Sequence, residues 1–424
     1  MSLHTTPQGD RIQIALYGMR NAGKSSVINA LTGQQVAIVS DTRGTTTDPV
    51  SKAMEILPLG PCMLIDTPGL DDEGELGQKR IEKAMQVLNR TDIAVVVIDI
   101  TTVSEEELAA GNGFSGKEEE IISLLEEKKI PYIIVLSQAD RVSGGEAEKI
   151  RSRLSLKNAA APVVVVSSTE GRGIEELKNT LVSTLPHTDS KLHIVGDLID
   201  AGDIIVLVVP VDSAAPKGRL IMPQQQVIRD ILDNQAVAVV TQVPQLAGVL
   251  GELSGKVKMV VTDSQAFREV AAIVPDSLPL TSFSILFARH KGNLRKLAEG
   301  VRAVESLQDG DKILIAEGCT HHRQCEDIGT VKIPNWLKQH TGKKLEIETC
   351  SGAEFPMDLS TYKMVIHCGG CTLHEKEMKH RIFQAGEQNV PIANYGIFIA
   401  YVNGILARSV EIFPDIYQVV TGQE

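Results

Sequence analysis

Short apolar runs separated by polar, glycine-rich and proline-rich breaks recur along the chain. Arg11–Tyr17 has strand character and is followed by Ser26–Leu31 with helical spacing. Further strand-like runs lie at 62–65, 93–100, 131–136 and 163–166, with an acidic helical stretch from Gly116 to Lys129 and a last helix opening at Gly173. After the polar break Pro186–Ser190 the alternation resumes. Strands are expected at 204–211, 236–241 and 257–262, with helices at 223–232, from 244, and at 265–273. A third block carries strand-like runs at 312–316 and 362–366 and a helix from His374 to Gln384. Continuous apolar strands alternating with helical periodicity predict an α/β fold with parallel sheets covered by helices. The breaks divide it into three domains, 1–187, 188–280 and 281–424.

The length, 424 residues, agrees with about three domains. With 42 Lys+Arg against 54 Asp+Glu the net charge is −12, which argues against a broad nucleic-acid surface. No apolar run approaches the roughly 18 residues that cross a bilayer, and the start has no signal layout, so a cytoplasmic protein without a membrane partner is expected. In a reducing compartment, clustered cysteines are metal or redox ligands before they are disulfides. All of the six except Cys62 lie beyond position 318.

Gly18-Met19-Arg20-Asn21-Ala22-Gly23-Lys24-Ser25 fits G-x-x-x-x-G-K-[ST] between a strand and a helix, the context that a phosphate loop needs. The backbone N–H groups of Asn21, Ala22, Gly23, Lys24, Ser25 and Ser26 are candidates for phosphate binding at the positive end of the new helix. Lys24 would reach the terminal phosphates and the Ser25 hydroxyl would sit on Mg²⁺. Among the threonines of the polar loop Asp41–Pro49, Thr46 is favoured as a second hydroxyl on Mg²⁺. Asp66-Thr67-Pro68-Gly69 follows a buried strand, placing Asp66 to hold Mg²⁺ through water and Gly69 to sense the γ-phosphate through its N–H. Leu70 stands where a water-orienting Gln is common, so hydrolysis should be slow or recruit another group. Ser137-Gln138-Ala139-Asp140 occupies the place of a guanine-reading Asn-Lys-x-Asp loop. Asp140 can accept from guanine N1 and N2, and Ser167 and Ser168 are placed for O6. The missing Asn and Lys put nucleotide affinity in doubt more than base identity.

On these motifs the first segment resembles the Era- and TrmE-like GTPases, which implies GTP/GDP as ligand. In that group an asparagine at the place of Asn21 holds a potassium ion against the phosphates; closing the loop by a local backbone bond is the alternative role for Asn21.

The middle segment carries no titratable cluster. Asp212, Lys217 and Arg219 share one loop and read as solvated charges. An interaction module, with self-association preferred, is the expectation by exclusion.

In the last segment one strand ends at Glu317-Gly318-Cys319-Thr320-His321-His322 and another at His367-Cys368-Gly369-Gly370-Cys371. In one parallel sheet both loops emerge at the same carboxyl edge, where open α/β sheets place ligands. Cys319, Cys368 and Cys371 can hold three irons of a cubane and leave the fourth for an exchangeable ligand. The same residues with His321 would also make a Cys₃His zinc site, and Cys368-Gly-Gly-Cys371 could be a redox dithiol, whereas a Rieske centre fits poorly. Cys325 and Cys350 read as packing or incidental, and His322, His374 and His380 as surface or outer positions.

The combination of such a GTPase segment, a middle α/β domain and C-x-H followed distantly by H-C-x-x-C resembles the HydF family of [FeFe]-hydrogenase maturation GTPases over essentially the whole chain. The resemblance implies a homodimer joined through the middle domain and a [4Fe-4S] cluster on Cys319, Cys368 and Cys371. His321 and His367 are then candidate fourth or outer ligands. It further implies a scaffold that receives a di-iron precursor bearing CO and cyanide from radical-SAM partners and delivers it to apo-[FeFe]-hydrogenase. The competing reading is a regulatory or RNA-modification GTPase with a structural zinc domain.

Overall fold

The computed structural model describes residues 6, 8–33, 49–70, 83–103, 116–157, 161–185, 193–210, 220–318, 327–352 and 354–422. Thr46, Cys319, His321, His322, Cys325, Asp212, Lys217, Arg219 and the break Pro186–Ser190 lie outside the described residues. The chain divides into two compact units, Met1–Asp189 and Ser190–Glu424.

The first unit is built on a six-stranded sheet of β1 (Ile12–Tyr17), β2 (Val50–Ile56), β3 (Gly60–Asp66), β4 (Ile93–Asp99), β5 (Tyr132–Ser137) and β6 (Val163–Val165), in the order β2-β3-β1-β4-β5-β6. Only β2 runs antiparallel to its neighbour. Along β1, Ile14 and Leu16 enter one apolar cluster and Ala15 and Tyr17 the other, so the strand is buried on both faces, as central parallel strands are. Leu16 pairs with Asp66. The chain therefore leaves β1 and β3 side by side at the carboxyl edge.

The second unit holds two four-stranded parallel sheets. β7 (Ile204–Val208), β8 (Val237–Thr241), β9 (Val257–Thr262) and β10 (Leu280–Ser282) are ordered β10-β9-β7-β8. β11 (Lys312–Glu317), β12 (Glu346–Ser351), β13 (Met364–His367) and β14 (Ile392–Asn394) are ordered β12-β11-β13-β14. One apolar core runs from Ile194 to Ile416 through both sheets, and position 280 is the first residue of β10. Ala316 pairs with His367 and His367 with Asn394, which brings the ends of β11, β13 and β14 to one edge. Among the described residues no helix is long and apolar enough to cross a membrane.

Candidate phosphate site and cysteine loop

At the edge of the first sheet, Gly18 packs so closely on β4 that an added Cβ would lie 2.2 Å from the Val97 carbonyl oxygen. Asn21 (φ 60) and Gly23 (φ 92) both take the left-handed region, which curls the loop into the helix Lys24–Thr32. Lys24, Ser25 and Ser26 form that helix's first turn. The Lys24 side chain is buried and donates to the carbonyls of Gly18 (2.9 Å) and Met19 (2.8 Å). The Ser25 hydroxyl donates to the Asp66 carboxylate at 2.5 Å. The two groups expected at Mg²⁺ are thus in contact across 41 positions of sequence. Burial raises the Asp66 carboxyl above its ordinary value, against the Ser25 hydrogen bond and the Lys24 charge. Thr67 fastens the following turn by donating to the Leu16 carbonyl at 2.6 Å, and Leu70, just past Gly69, is buried.

The Ser-Gln-Ala-Asp loop is stitched to the phosphate loop. Ser137, fully buried, donates to the carbonyls of Ala22 (2.5 Å) and Ile98 (3.0 Å). Gln138, at φ 57, donates to the Asn21 carbonyl (3.2 Å) and to the Asp99 carboxylate (2.5 Å). Asp140 is exposed and accepts from the Ser167 hydroxyl at 2.8 Å, a bond that with its own backbone N–H lowers its pKa. Arg172 holds the loop from the far side by donating to Ala139 O at 2.8 Å. The anchors Asp99 and Arg172 carry no motif, and sequence reasoning missed them.

In the second unit, Cys368 and Cys371 lie directly after β13, both half-buried. The Cys368 sulfur accepts main-chain N–H bonds from Gly318 (3.0 Å) and Gly370 (3.4 Å). Such donors favour an anionic sulfur. Thr372 donates to the Gly318 carbonyl at 3.0 Å, and Gly318 leaves no room for a Cβ, which would fall 2.7 Å from Leu373. Gly318 immediately precedes Cys319, so the C-x-x-C loop is tied to the end of the strand that leads to the third cysteine. Two half-buried thiols at a sheet's carboxyl edge, one already receiving N–H donors, fit a thiolate-ligated metal centre. No group of three or more His, Cys, Asp or Glu poised for a metal occurs among the described residues, which exclude Cys319 and His321.

His367 is wholly buried. Its Nδ1 lies 2.8 Å from Cys368 O and its Nε2 3.0 Å from Arg381. Because a guanidinium only donates, Nε2 accepts and Nδ1–H donates to the Cys368 carbonyl. Burial, aided by the Arg381 charge and opposed by the Cys368 hydrogen bond, pushes the imidazole down to about 3. Both ring nitrogens are therefore engaged within the protein. Arg381 is itself buried, donating to Glu377 (2.9 Å) and Gly352 O (2.7 Å) with Phe355 stacked 4.9 Å away.

Three family profiles match the chain in succession. Residues 13–138 match "50S ribosome-binding GTPase", 194–292 match "Hydrogen maturase F dimerization domain", and 295–412 match "Hydrogen maturase F tetramerization domain". The chain belongs to the hydrogen maturase F family. The family's dimerization profile spans β7–β10, and its tetramerization profile spans β11–β14 with the Cys368–Cys371 loop. Together they support oligomerisation.

Among curated proteins, GTPase Der of Kosmotoga olearia is 30% identical over 191 residues, 43% of this chain and 41% of the relative. The tRNA modification GTPase MnmE of Polynucleobacter asymbioticus is 34% identical over 191 residues, 44% of this chain and 35% of the relative. The chain spans less than half the length of these curated relatives. Among solved structures, Aquifex aeolicus Era bound to GDP.AlF4- covers 58% of this chain and 98% of its own, with 20% identity and a TM-score of 0.37.

Proposed function

We propose that this chain is a slow GTPase whose second unit carries a [4Fe-4S] cluster and serves as scaffold for a hydrogenase di-iron precursor. The observation that carries the reading is the Cys368 sulfur, which accepts main-chain N–H bonds from Gly318 and Gly370. It lies at a parallel-sheet edge in a member of the hydrogen maturase F family. Cys319, Cys368 and Cys371 would hold the cluster, with His321 as a candidate fourth or outer ligand and His367 beneath the loop. When bound, a three-cysteine cubane supplies one iron open to an exchangeable ligand. That is the site through which a cyanide-bearing precursor from radical-SAM partners would attach before delivery to apo-[FeFe]-hydrogenase.

In the first unit Lys24 and the N–H groups of residues 21–26 take the phosphates, and Ser25, Thr46 and Asp66 the Mg²⁺. Gly69 senses the γ-phosphate, while Asp140, Ser167 and Ser168 read guanine. Potassium against Asn21 would assist hydrolysis. GTP biases partner exchange through a two-state element and need not act on the cargo.

Homodimerisation is supported by β8, an edge strand with Val237 and Val240 nearly half exposed, since an unpaired apolar edge invites a second strand. The experiment is anaerobic reconstitution followed by hydrogenase activation. Brown protein with iron and sulfide that loses its cluster in Cys319→Ala, Cys368→Ala or Cys371→Ala, and that activates apo-hydrogenase once precursor-loaded, is the expected result. Colourless zinc protein would favour the regulatory GTPase reading instead.

A further inference from the structure

Lys291 ends the helix Phe283–Lys291 and is only 2% exposed. Its ammonium donates to the carbonyl oxygens of Cys371 (3.1 Å) and Leu373 (3.2 Å), 80 and 82 residues away. Burying a lysine is costly unless its donors are used, so a lysine kept in this place must be repaid by the carbonyls it serves. Those carbonyls flank Thr372, whose hydroxyl holds Gly318, while the Gly318 N–H holds the Cys368 sulfur. The lysine therefore closes a clasp. On one side is the C-x-x-C turn, on the other the residue before Cys319, and the pin comes from a helix within the dimerization match (194–292) into the tetramerization match (295–412).

We propose that Lys291 is a positioning residue for the metal loop, holding the turn 371–373 in its ligating shape and placing a fixed positive charge beside the centre. This rests on the cluster reading given above. Two consequences follow from the charge and the geometry. Without the pin the turn is freer, so metal is released faster. Without the charge a reduced, more negative cluster is less favoured, so the midpoint potential moves to more negative values.

The test compares reconstituted wild type, Lys291→Met and Lys291→Arg, full-length and confirmed folded by circular dichroism. Three readouts are taken: iron release to a chelator, cluster midpoint potential by titration followed by electron paramagnetic resonance, and amide hydrogen exchange of residues 366–376 in the metal-free protein. Lys291→Met should release iron about 10-fold faster, as loss of an outer-shell partner does, titrate at a more negative potential, and exchange faster over 366–376. Lys291→Arg should stay near wild type in potential. A folded Lys291→Met with wild-type release, potential and exchange overturns the proposal. If wild type takes up no iron, the cluster reading falls and the exchange comparison alone decides: faster exchange upholds the positioning role, unchanged exchange overturns it.

Discussion

Gln138 donates its side-chain amide to the main-chain oxygen of Asn21 at 3.2 Å, beside the Ser137 hydroxyl bonded to Ala22 O at 2.5 Å. The Ser-Gln-Ala-Asp loop is thus fastened to two consecutive carbonyls of the Gly18–Ser25 loop, although it lacks the Asn and Lys expected at its place. Ser137→Ala would strip a donor from two carbonyls, at a cost of about 1–3 kcal/mol. Affinity for GDP and GTP should fall together by about 10-fold, with the preference for guanine over hypoxanthine unchanged. Asp140→Asn should instead erase the preference, weakening guanine nucleotides more than hypoxanthine ones. Titration with fluorescent nucleotides reads both; a selectivity change in Ser137→Ala would refute the division of labour.

The buried His367 makes stability depend on pH. Its folded pKa, about 3, is below the unfolded 6.5. The native ring stays neutral while the unfolded chain takes up a proton. The contribution is therefore fully present above pH 6.5 and is lost as pH falls from 6.5 towards 3, at up to about 1.4 kcal/mol per pH unit. Trp336, the chain's one tryptophan, lies in the second unit and reports its unfolding. Urea midpoints of the metal-free protein at pH 7, 6 and 5 should decline for wild type and decline less for His367→Gln.

Arg381 is the largest fully buried side chain among the described residues and joins Glu377, His367, Gly352 and Phe355. Arg381→Met keeps apolar volume but strands the Glu377 carboxylate and the Gly352 carbonyl. Removing one partner of a buried pair costs about 3–5 kcal/mol. The Trp336 unfolding midpoint should drop accordingly, whereas nucleotide affinity in the first unit should not change.

Much of the fold is legible in the sequence. β4 and β5 are apolar up to their last residue, β1 is interrupted only by Gln13, and β9 by Lys258 before its closing threonine, the near-continuous pattern of buried parallel strands. Of the edge strands, β6 and β8 are legible as apolar runs, whereas β12 and β14 are not. β12, Glu-Ile-Glu-Thr-Cys-Ser, pairs on one side only and keeps polar residues exposed, and β14 spans only three residues, Ile392–Asn394. The nucleotide motif was readable because phosphate chemistry constrains consecutive residues. Asp99 and Lys291 were not, because each acts across a gap in sequence on a main-chain or amide partner. A lysine closing a helix reads as ordinary dipole compensation.

Self-association can be tested at β8. Val237 and Val240 are 46% and 47% exposed, so replacing either with lysine should change the fold's stability by no more than about 0.5 kcal/mol. A charge on an edge strand opposes strand addition. Sedimentation of Val237→Lys should shift the protein towards monomer with an unchanged Trp336 midpoint, and an oligomer identical to wild type would place the interface elsewhere.

Geometry separates the roles of Leu70 and Asn21 in hydrolysis. Leu70, 4% exposed, belongs to the apolar cluster around Ala15 and Tyr17, so the side chain after Gly69 points into the core. Leu70→Gln should then not raise kcat, and burying an amide there should lower stability by about 1–3 kcal/mol. Asn21 is different: it stands at φ 60, where alanine would be strained whatever its side chain did. Asn21→Gly keeps the backbone at ease and removes only the carboxamide. If that carboxamide holds a potassium ion, wild type should hydrolyse GTP faster in potassium chloride than in sodium chloride, and Asn21→Gly should give equal rates in the two salts while still binding GDP. Stimulation that survives in Asn21→Gly would leave the residue with the loop-closing role alone.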